Sequence, residues 1–140
     1  MISFKVKGHP KITADHKSTL EFTKDDNITS NASCILGVSS NHDIKDLNRL
    51  NGRLVFVLNI EDIEERFEAT MPKNHELTDE KELVIRTSSF VSGRTYAIGS
   101  TKASIDIDRK LVRALKNEKD MKVTIYEKSK SMQYISECGE

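Results

Sequence analysis

Apolar and polar residues alternate over several short stretches of the chain, which is the pattern of β-strands with one buried face. The clearest stretches are residues 2–6 near the N-terminus and residues 121–125 near the other end. A second alternating stretch predicts a strand over about 17–24, where Leu20 and Phe22 are separated by Glu21.

The middle of the chain predicts further strands. Two alternating runs are separated only by Glu61 and Asp62, so a hairpin is expected there. Residues 34–38 form a continuous apolar run, which is typical of a strand buried on both faces. The remaining strand predictions are 53–60 and 63–70 for the hairpin, and 83–86 and 95–98 further along.

Apolar residues at helical spacing predict two short helices. The first is expected from about residue 44 to Gly52, and the second over about 106–117. Each is preceded by residues whose side chains can accept hydrogen bonds from the first free N–H groups. These N-cap candidates are Asn41 or Asp43 for the first helix and Asp106 or Asp108 for the second.

Seven to nine short strands with two short helices predict a mainly β fold, namely a single-domain β-sandwich or barrel. Parallel α/β architecture is not expected, because strands mostly follow one another directly. The sequence shows no internal repeat and no linker. Residues 1–127 are therefore expected to form one β-rich domain, and 128–140 a polar C-terminal tail with one short strand at 132–135.

Charge is balanced over the chain of 140 residues, so no net charge draws it toward nucleic acid or anionic lipid. The distribution is uneven. Residues 61–83 hold nine acidic and three basic residues, whereas residues 101–130 hold nine basic and five acidic ones. Such a bipolar surface favours docking to another protein through the acidic region 61–83, or association with a second copy of the chain, as readily as contact with RNA or DNA.

The N-terminus lacks the apolar segment of a signal peptide, and no apolar run approaches the length of a membrane span, so we expect a cytoplasmic protein without a membrane partner. Cys34 and Cys138 are too few and too far apart for a metal pair or a disulfide framework. No phosphate-binding glycine pattern and no nucleophile elbow occurs in the sequence. We therefore expect neither a bound metal nor another cofactor.

Three segments resemble a known archaeal family of domains of unknown function, family 371. They are GHPKITADHKSTLEFTK, CILGV and RTYAIGSTKASIDIDRKLVRALK, and their order and spacing also fit. The resemblance covers about residues 1–127 and implies an archaeal source and a β-sandwich type of domain, but no activity. This chain has Ala32-Ser33 where the family usually carries Gly-Asp, and its tail extends beyond the usual end. A family site that depends on that pair is expected to be altered here.

The first functional hypothesis is a binding module for RNA or DNA. Its phosphate-binding candidates are Arg94, Lys102, Arg109, Arg113 and Lys116. Tyr126 and Tyr134 lie close in sequence and are candidates for stacking on bases. The structural alternative is that Asp106 caps the second helix while Arg109 pairs with it or with another acid.

The second hypothesis is a small enzyme, such as a hydrolase, in which a histidine base is oriented by a carboxylate. Its candidates are His9, His16, Glu21 and Asp106. The structural alternative makes His9 a turn residue bound to backbone and places Glu21 on the ordinary solvent face of an antiparallel sheet. The sequence leaves open whether the chain is an enzyme.

Overall fold

The computed structural model describes residues 1–128, which form eight strands in two four-stranded sheets and two α-helices. The predicted mainly β, sandwich-like fold is confirmed. The elements are β1 (Ile2–Lys7), β2 (Thr19–Thr23), β3 (Ile35–Gly37), α1 (Ile44–Leu47), β4 (Arg53–Ile60), β5 (Ile63–Thr70), β6 (Glu82–Arg86), β7 (Thr95–Ala97), α2 (Arg109–Lys116) and β8 (Asp120–Glu127).

The first sheet has the order β1-β8-β4-β5, and all of its strand pairs are antiparallel. The second has the order β3-β2-β6-β7, in which β2 and β6 are antiparallel while β2–β3 and β6–β7 are parallel. The parallel pairs are confined to this sheet, and the fold is not of the parallel α/β type, as expected. Long connections between β2 and β3 and between β6 and β7 make the parallel pairing feasible.

The inward faces of both sheets contribute to one hydrophobic core. Phe56 of β4 stacks on Phe67 of β5 at a ring-centroid distance of 4.7 Å. Tyr96 of β7 meets Phe56 edge to face at 6.2 Å, and its hydroxyl donates to the carbonyl of Leu47 at 2.8 Å. Tyr96 thus ties the second sheet to both the first sheet and α1, because burying its ring requires a partner for the hydroxyl.

The predicted hairpin has its strands at 53–60 and 63–70, as expected, whereas both helices are shorter than predicted. Asp43 caps α1, which ends at Leu47 because Asn48 turns its carboxamide to the backbone of Leu77. Asp108 caps α2, accepting from the N–H of Lys110 at 2.8 Å. The alternative N-cap, Asp106, instead belongs to the preceding 3-10 turn.

The order of elements repeats along the chain, since β1, β2, β3, α1 and β4 are followed by β5, β6, β7, α2 and β8. Exchanging the two halves maps each sheet onto itself: β1 and β5 are the outer strands of the first sheet, and β3 and β7 those of the second. The halves are related as the subunits of a twofold dimer are. The repeat is one of structure, and the sequence, which shows no internal repeat, gave no sign of it.

Hydrogen bonds outside the strands repeat in the same way. Each half joins the end of its first strand to the residue after its third strand by two backbone hydrogen bonds of 2.8–2.9 Å. In each half, a residue with positive φ follows, at Ser39 (51°) and Gly99 (60°). The equivalent bonded pairs are Lys7–Val38 and Thr70–Ile98, Thr23–Ser40 and Arg86–Ser100, and Gly8–Lys119 and Met71–Gly52.

None of the helices in residues 1–128 has the length and apolar character that crossing a membrane requires. The predicted polar tail, including its short strand at 132–135 and the stacking candidate Tyr134, lies beyond the part of the chain that the structure describes, apart from Lys128.

Candidate functional site

Glu21 lies on β2 in the middle of the second sheet, and only 5% of its surface is exposed. The expectation that it lies on the solvent face is wrong. Strands β3 and β6 flank it on both sides, and the side chains of Glu82 and Arg94 contact its carboxyl group. One carboxyl oxygen, Oε1, is buried without a hydrogen-bond partner and lies 3.9 Å from Nη1 of Arg94.

Burial, followed by a hydrogen bond to Glu82 and its negative charge, raises the pKa of Glu21 to about 8, although Arg94 and Arg86 act to lower it. Glu21 therefore keeps its proton at neutral pH. Arg94 satisfies Glu82 through one guanidinium nitrogen, at 3.1 and 3.2 Å from the two oxygens. The charges of Arg94 and Glu82 thus balance each other beside the buried carboxyl group of Glu21.

His9 and His16 lie in separate turns and bind different partners. Nε2 of His9 lies 3.1 Å from Oδ1 of Asn27, and its Nδ1 accepts from the backbone N–H of Lys11. Nδ1 of His16 accepts from the backbone N–H of Thr19 at 3.1 Å. Within residues 1–128, no hydrogen bond joins any two members of the proposed catalytic set, namely His9, His16, Glu21 and Asp106.

Asp106 has a local structural contact. Its Oδ2 accepts from the backbone N–H of Ala103 at 2.9 Å and closes the 3-10 turn of Ser104–Asp106. Over the described residues, no three His, Cys, Asp or Glu side chains come close enough together to hold a metal ion. The hydrolytic arrangement of these residues stays a prediction.

Three of the five predicted phosphate-binding residues already have partners. Arg94 is paired with Glu82, and Nζ of Lys102 lies 2.6 Å from a carboxylate oxygen of Glu65. Arg109 does not pair with Asp106. Its guanidinium donates instead to the carbonyls at the start of α2, those of Ser104, Ile105 and Ile107.

The other two predicted phosphate-binding residues, Arg113 and Lys116, are exposed on α2. The end of α2 meets the end of β1, because Gly8 packs directly against the backbone of Leu115. Lys119 follows at the same junction, where its carbonyl accepts from the N–H of Gly8 at 2.9 Å. These bases therefore lie at the β1–β8 corner of the first sheet.

The outward side of the first sheet carries exposed lysines that the sequence hypothesis did not single out. Lys5 on β1 lies directly opposite Lys122 on β8, and Lys7 lies opposite Asp120. Among residues 1–128, none of these three lysines forms an ion pair with a carboxylate. We call this surface, defined by Lys5, Lys7 and Lys122, the lysine face.

The same side of the sheet holds Tyr126, four residues beyond Lys122 on β8. A cavity of about 360 Å³ lies beside its ring and is lined also by Val55, Arg66, Thr101 and Lys128. The hydroxyl of Tyr126 accepts from Nη1 of Arg66 at 3.3 Å. The sequence hypothesis named Tyr126, but the register that places it and the lysines on one face is not visible in the sequence.

His42 is a second buried titratable residue that the sequence reasoning missed. Its Nδ1 lies 2.6 Å from the hydroxyl of Ser40, and its Nε2 is buried without a partner. Burial, and then the charge of Lys24, lower the pKa of His42 to about 4. His42 is therefore neutral at physiological pH. The equivalent position in the second half is Lys102, so no sequence motif shared by the two halves points to His42.

Known proteins resemble this chain over nearly its full length. A family model described as a domain of unknown function, DUF371, matches residues 4–128. The uncharacterized protein MJ0206 of Methanocaldococcus jannaschii is 31% identical over 124 residues, which cover 84% of this chain and 92% of that protein. Neither description names an activity. The resemblance noted in the sequence is thereby confirmed, and the chain belongs to the DUF371 family.

Proposed function

We propose that the protein binds single-stranded RNA or DNA across the lysine face. The observation that carries this proposal is the direct cross-strand pairing of Lys5 with Lys122, with no carboxylate among the described residues paired to either. Like charges placed directly opposite each other in an antiparallel pair destabilise the sheet. A phosphate group between the two ammonium groups removes that repulsion and releases counterions.

Tyr126 supplies the second component of the proposed interface. It lies four residues from Lys122 along one strand, a separation of about 13 Å at the usual rise of a strand. The cavity beside its ring has an apolar wall from Val55 and is also lined by Glu68 and by Arg66, whose guanidinium is paired with Glu64 at 3.0 Å. An unpaired base can stack there while the phosphates of the same strand contact the lysines, a combination typical of single-strand binders.

The α2 bases proposed from the sequence extend this surface at one corner. Arg113 and Lys116 are exposed near the junction of α2 with β1, next to Lys7. Arg94, Lys102 and Arg109 have acidic or carbonyl partners that nucleic acid must displace before it can bind them. The interface is therefore proposed to rest first on Lys5, Lys7 and Lys122, then on Arg113 and Lys116, and least on the other three.

Lys122→Glu is expected to weaken binding and to stabilise the protein at the same time. The new carboxylate lies opposite Lys5 and replaces a repulsive pair with an attractive one, which adds about 0.2–1 kcal/mol to the free energy of unfolding. Binding is measured by fluorescence anisotropy with labelled single-stranded RNA, structured RNA and duplex DNA at several salt concentrations. The salt slope is expected to fall by about one for each lysine lost.

Lys45→Glu is the matched control, because Lys45 is exposed on α1, which is not part of the first sheet, and the substitution changes the net charge equally. It is expected to leave affinity nearly unchanged. Failure of the wild-type protein to bind any of the three nucleic acids at low salt overturns the proposal. Equal loss of affinity in Lys45→Glu and Lys122→Glu shows a response to net charge alone and also contradicts it.

Tyr126→Leu tests the base-stacking component separately. Leucine keeps an apolar side chain over Val55 but removes the aromatic face, so affinity for single strands is expected to fall about tenfold. Affinity for duplex DNA is expected to change little, since paired bases do not enter the cavity. An anisotropy titration in which both nucleic acids respond equally contradicts a stacking role for this residue.

The hydrolase alternative, with His9, His16, Glu21 and Asp106 as its candidates, gains no support from contacts among these residues. His9 and His16 are bound in different turns, and Glu21 is closed off from solvent. The hydrolase hypothesis remains a prediction. No contact among its candidate residues, all of them within residues 1–128, supports it in the way that the Lys5–Lys122 pair supports nucleic-acid binding.

A further inference from the structure

A cleft of about 940 Å³ opens between the end of α1 and the segment that follows β5, and we call it the α1 cleft. Its walls include Asn51 and Gly52 on one side and Lys73, Asn74 and His75 on the other. It lies at the opposite end of the first sheet from Lys7, because β4 begins and β5 ends there. It is therefore separate from the lysine face.

The α1 cleft exists because the two halves of the chain differ at equivalent places. In one half, the eight-residue helix α2 reaches the segment after β1, and a Cβ on Gly8 would lie 2.0 Å from the carbonyl oxygen of Leu115. In the other half, α1 has only four residues, and Met71 takes the place of Gly8 while Gly52 takes that of Lys119. A Cβ on Gly52 would meet nothing within 4 Å among the described residues, so the shorter helix leaves space beside this junction.

The walls of the α1 cleft are held by hydrogen bonds on three sides. The N–H of Met71 donates to the carbonyl of Gly52 at 2.9 Å. The carboxamide of Asn48 both donates to and accepts from the backbone of Leu77, at 2.9 and 3.0 Å. Nε2 of His75 lies 2.9 Å from the carbonyl oxygen of Thr95. The cleft is thus formed before any ligand arrives, as small-molecule sites usually are.

Polar groups in the α1 cleft are left without partners by this arrangement. A carbonyl only accepts, so Nε2 of His75 carries the hydrogen, and Nδ1 of the neutral ring is an acceptor. Within residues 1–128, no side-chain hydrogen bond or ion pair is formed by the ammonium group of Lys73, the carboxylate of Glu76 or the carboxamides of Asn51 and Asn74. Asn74 has a positive φ of 56°, a conformation that costs energy in a non-glycine residue.

We propose that the α1 cleft binds a small phosphate ester that carries neighbouring hydroxyl groups, such as a sugar phosphate or a nucleoside monophosphate. The ammonium group of Lys73 pairs with the phosphate. The carboxylate of Glu76 and Nδ1 of His75 accept from hydroxyl groups, and the carboxamides of Asn51 and Asn74 can both donate and accept. Met71 and Pro72 add an apolar wall for the carbon skeleton.

The test is an NMR titration of the full chain, labelled with ¹⁵N, with ribose 5-phosphate, inorganic phosphate and ribose in separate experiments. Ribose 5-phosphate is expected to shift the signals of His75 and the side-chain amides of Asn51 and Asn74, with saturation at millimolar concentration. Each fragment alone is expected to bind more weakly than the ester, because it engages only part of the site.

Lys73→Gln is expected to weaken binding of ribose 5-phosphate about tenfold, because it removes the charged donor while keeping most of the side chain. Lys24→Gln is the matched control, since Lys24 is an exposed lysine after β2 and outside the α1 cleft. The proposal is overturned if no signal saturates, if Lys73→Gln binds as the wild type does, or if the shifts centre on Lys5 and Lys122.

Discussion

Gly37→Ala is expected to lower the free energy of unfolding by about 3 kcal/mol, as overpacking in a closed core does. A Cβ at this position would lie 2.3 Å from Cγ2 and 2.5 Å from Cβ of Val6. Val6 is 1% exposed, and β1 is bonded to β8 on one side and, at Lys7, to Val38 next to Gly37, so the side chain has little room to move away. Urea denaturation followed by circular dichroism measures the loss.

The repeat within the fold suggests a specific rescue of Gly37→Ala. The positions equivalent to Gly37 and Val6 in the second half are Ala97 and Ala69, both buried. The second half therefore accommodates a Cβ at this site by having a smaller neighbour. Val6→Ala is expected to relieve the clash, so that the double variant is more stable than the sum of the two single changes predicts, by about 0.5–3 kcal/mol.

Gly93→Ala is the control for the general effect of adding a methyl group to a glycine. Its Cβ would meet only the hydroxyl of Thr78, at 2.9 Å, and both residues are exposed, so the side chain can rotate away. A cost well below that of Gly37→Ala is expected. If the changes in free energy of unfolding caused by Gly37→Ala and Val6→Ala simply add up in the double variant, the proposed contact between these two residues is contradicted.

Glu21→Gln is expected to make the protein more stable than the wild type at pH 8–9, by on the order of 3 kcal/mol. Glutamine keeps the size of the side chain and a donor toward Glu82, but it has no proton to lose. In the wild type, the buried carboxyl group must either hold its proton against the solution or ionise next to Glu82 without a partner for Oε1.

The direction of the pH dependence follows from the two protonation equilibria of Glu21. Its pKa is 4.5 as a model value and about 8 in the folded protein, so between these values the folded state binds more protons than the unfolded state. Stability therefore falls as the pH rises from 4.5 and levels off above about 8. Glu21→Gln removes this slope.

His42 acts in the opposite direction over part of this range. Its pKa falls from 6.5 to about 4 on folding, so its contribution is present above pH 6.5 and is lost as the pH falls toward 4. The measurement therefore compares urea midpoints of wild type and Glu21→Gln from pH 7 to 9, where His42 is neutral in both states. Glu80→Gln, at an exposed loop position, is the control. Parallel loss of stability in wild type and Glu21→Gln over that range argues against a buried, protonated Glu21.

Local patterns were sufficient to predict the strands but not their pairing. The hairpin strands 53–60 and 63–70 are found as predicted, because alternation and a two-residue turn are both visible in neighbouring residues. The start of α2 was predicted too early, because Asp106 and Asp108 have the same capping chemistry and only the fold assigns one of them to the preceding turn. The repeat was missed because equivalent positions differ in residue type.

The candidate interface depends on contacts between residues that are distant in sequence. Lys5 and Lys122 face each other only because β1 pairs with β8, and no local pattern contains that register. The burial of Glu21 has the same origin, since alternation alone does not reveal that strands flank β2 on both sides. Of the basic residues proposed from charge clustering in the sequence, only Arg113 and Lys116 are exposed without acidic or carbonyl partners among residues 1–128 and extend the lysine face.

The exchange of strands between the two halves also affects how the protein can be made. β1 is the first strand of the domain in chain order, and its partner β8 is the last strand of the described residues. β4 pairs with β8 as well, so β1 has no neighbour in the first sheet until β8 has been synthesised. Lys5 and Lys122 therefore come together only when this last strand of the sheet is in place.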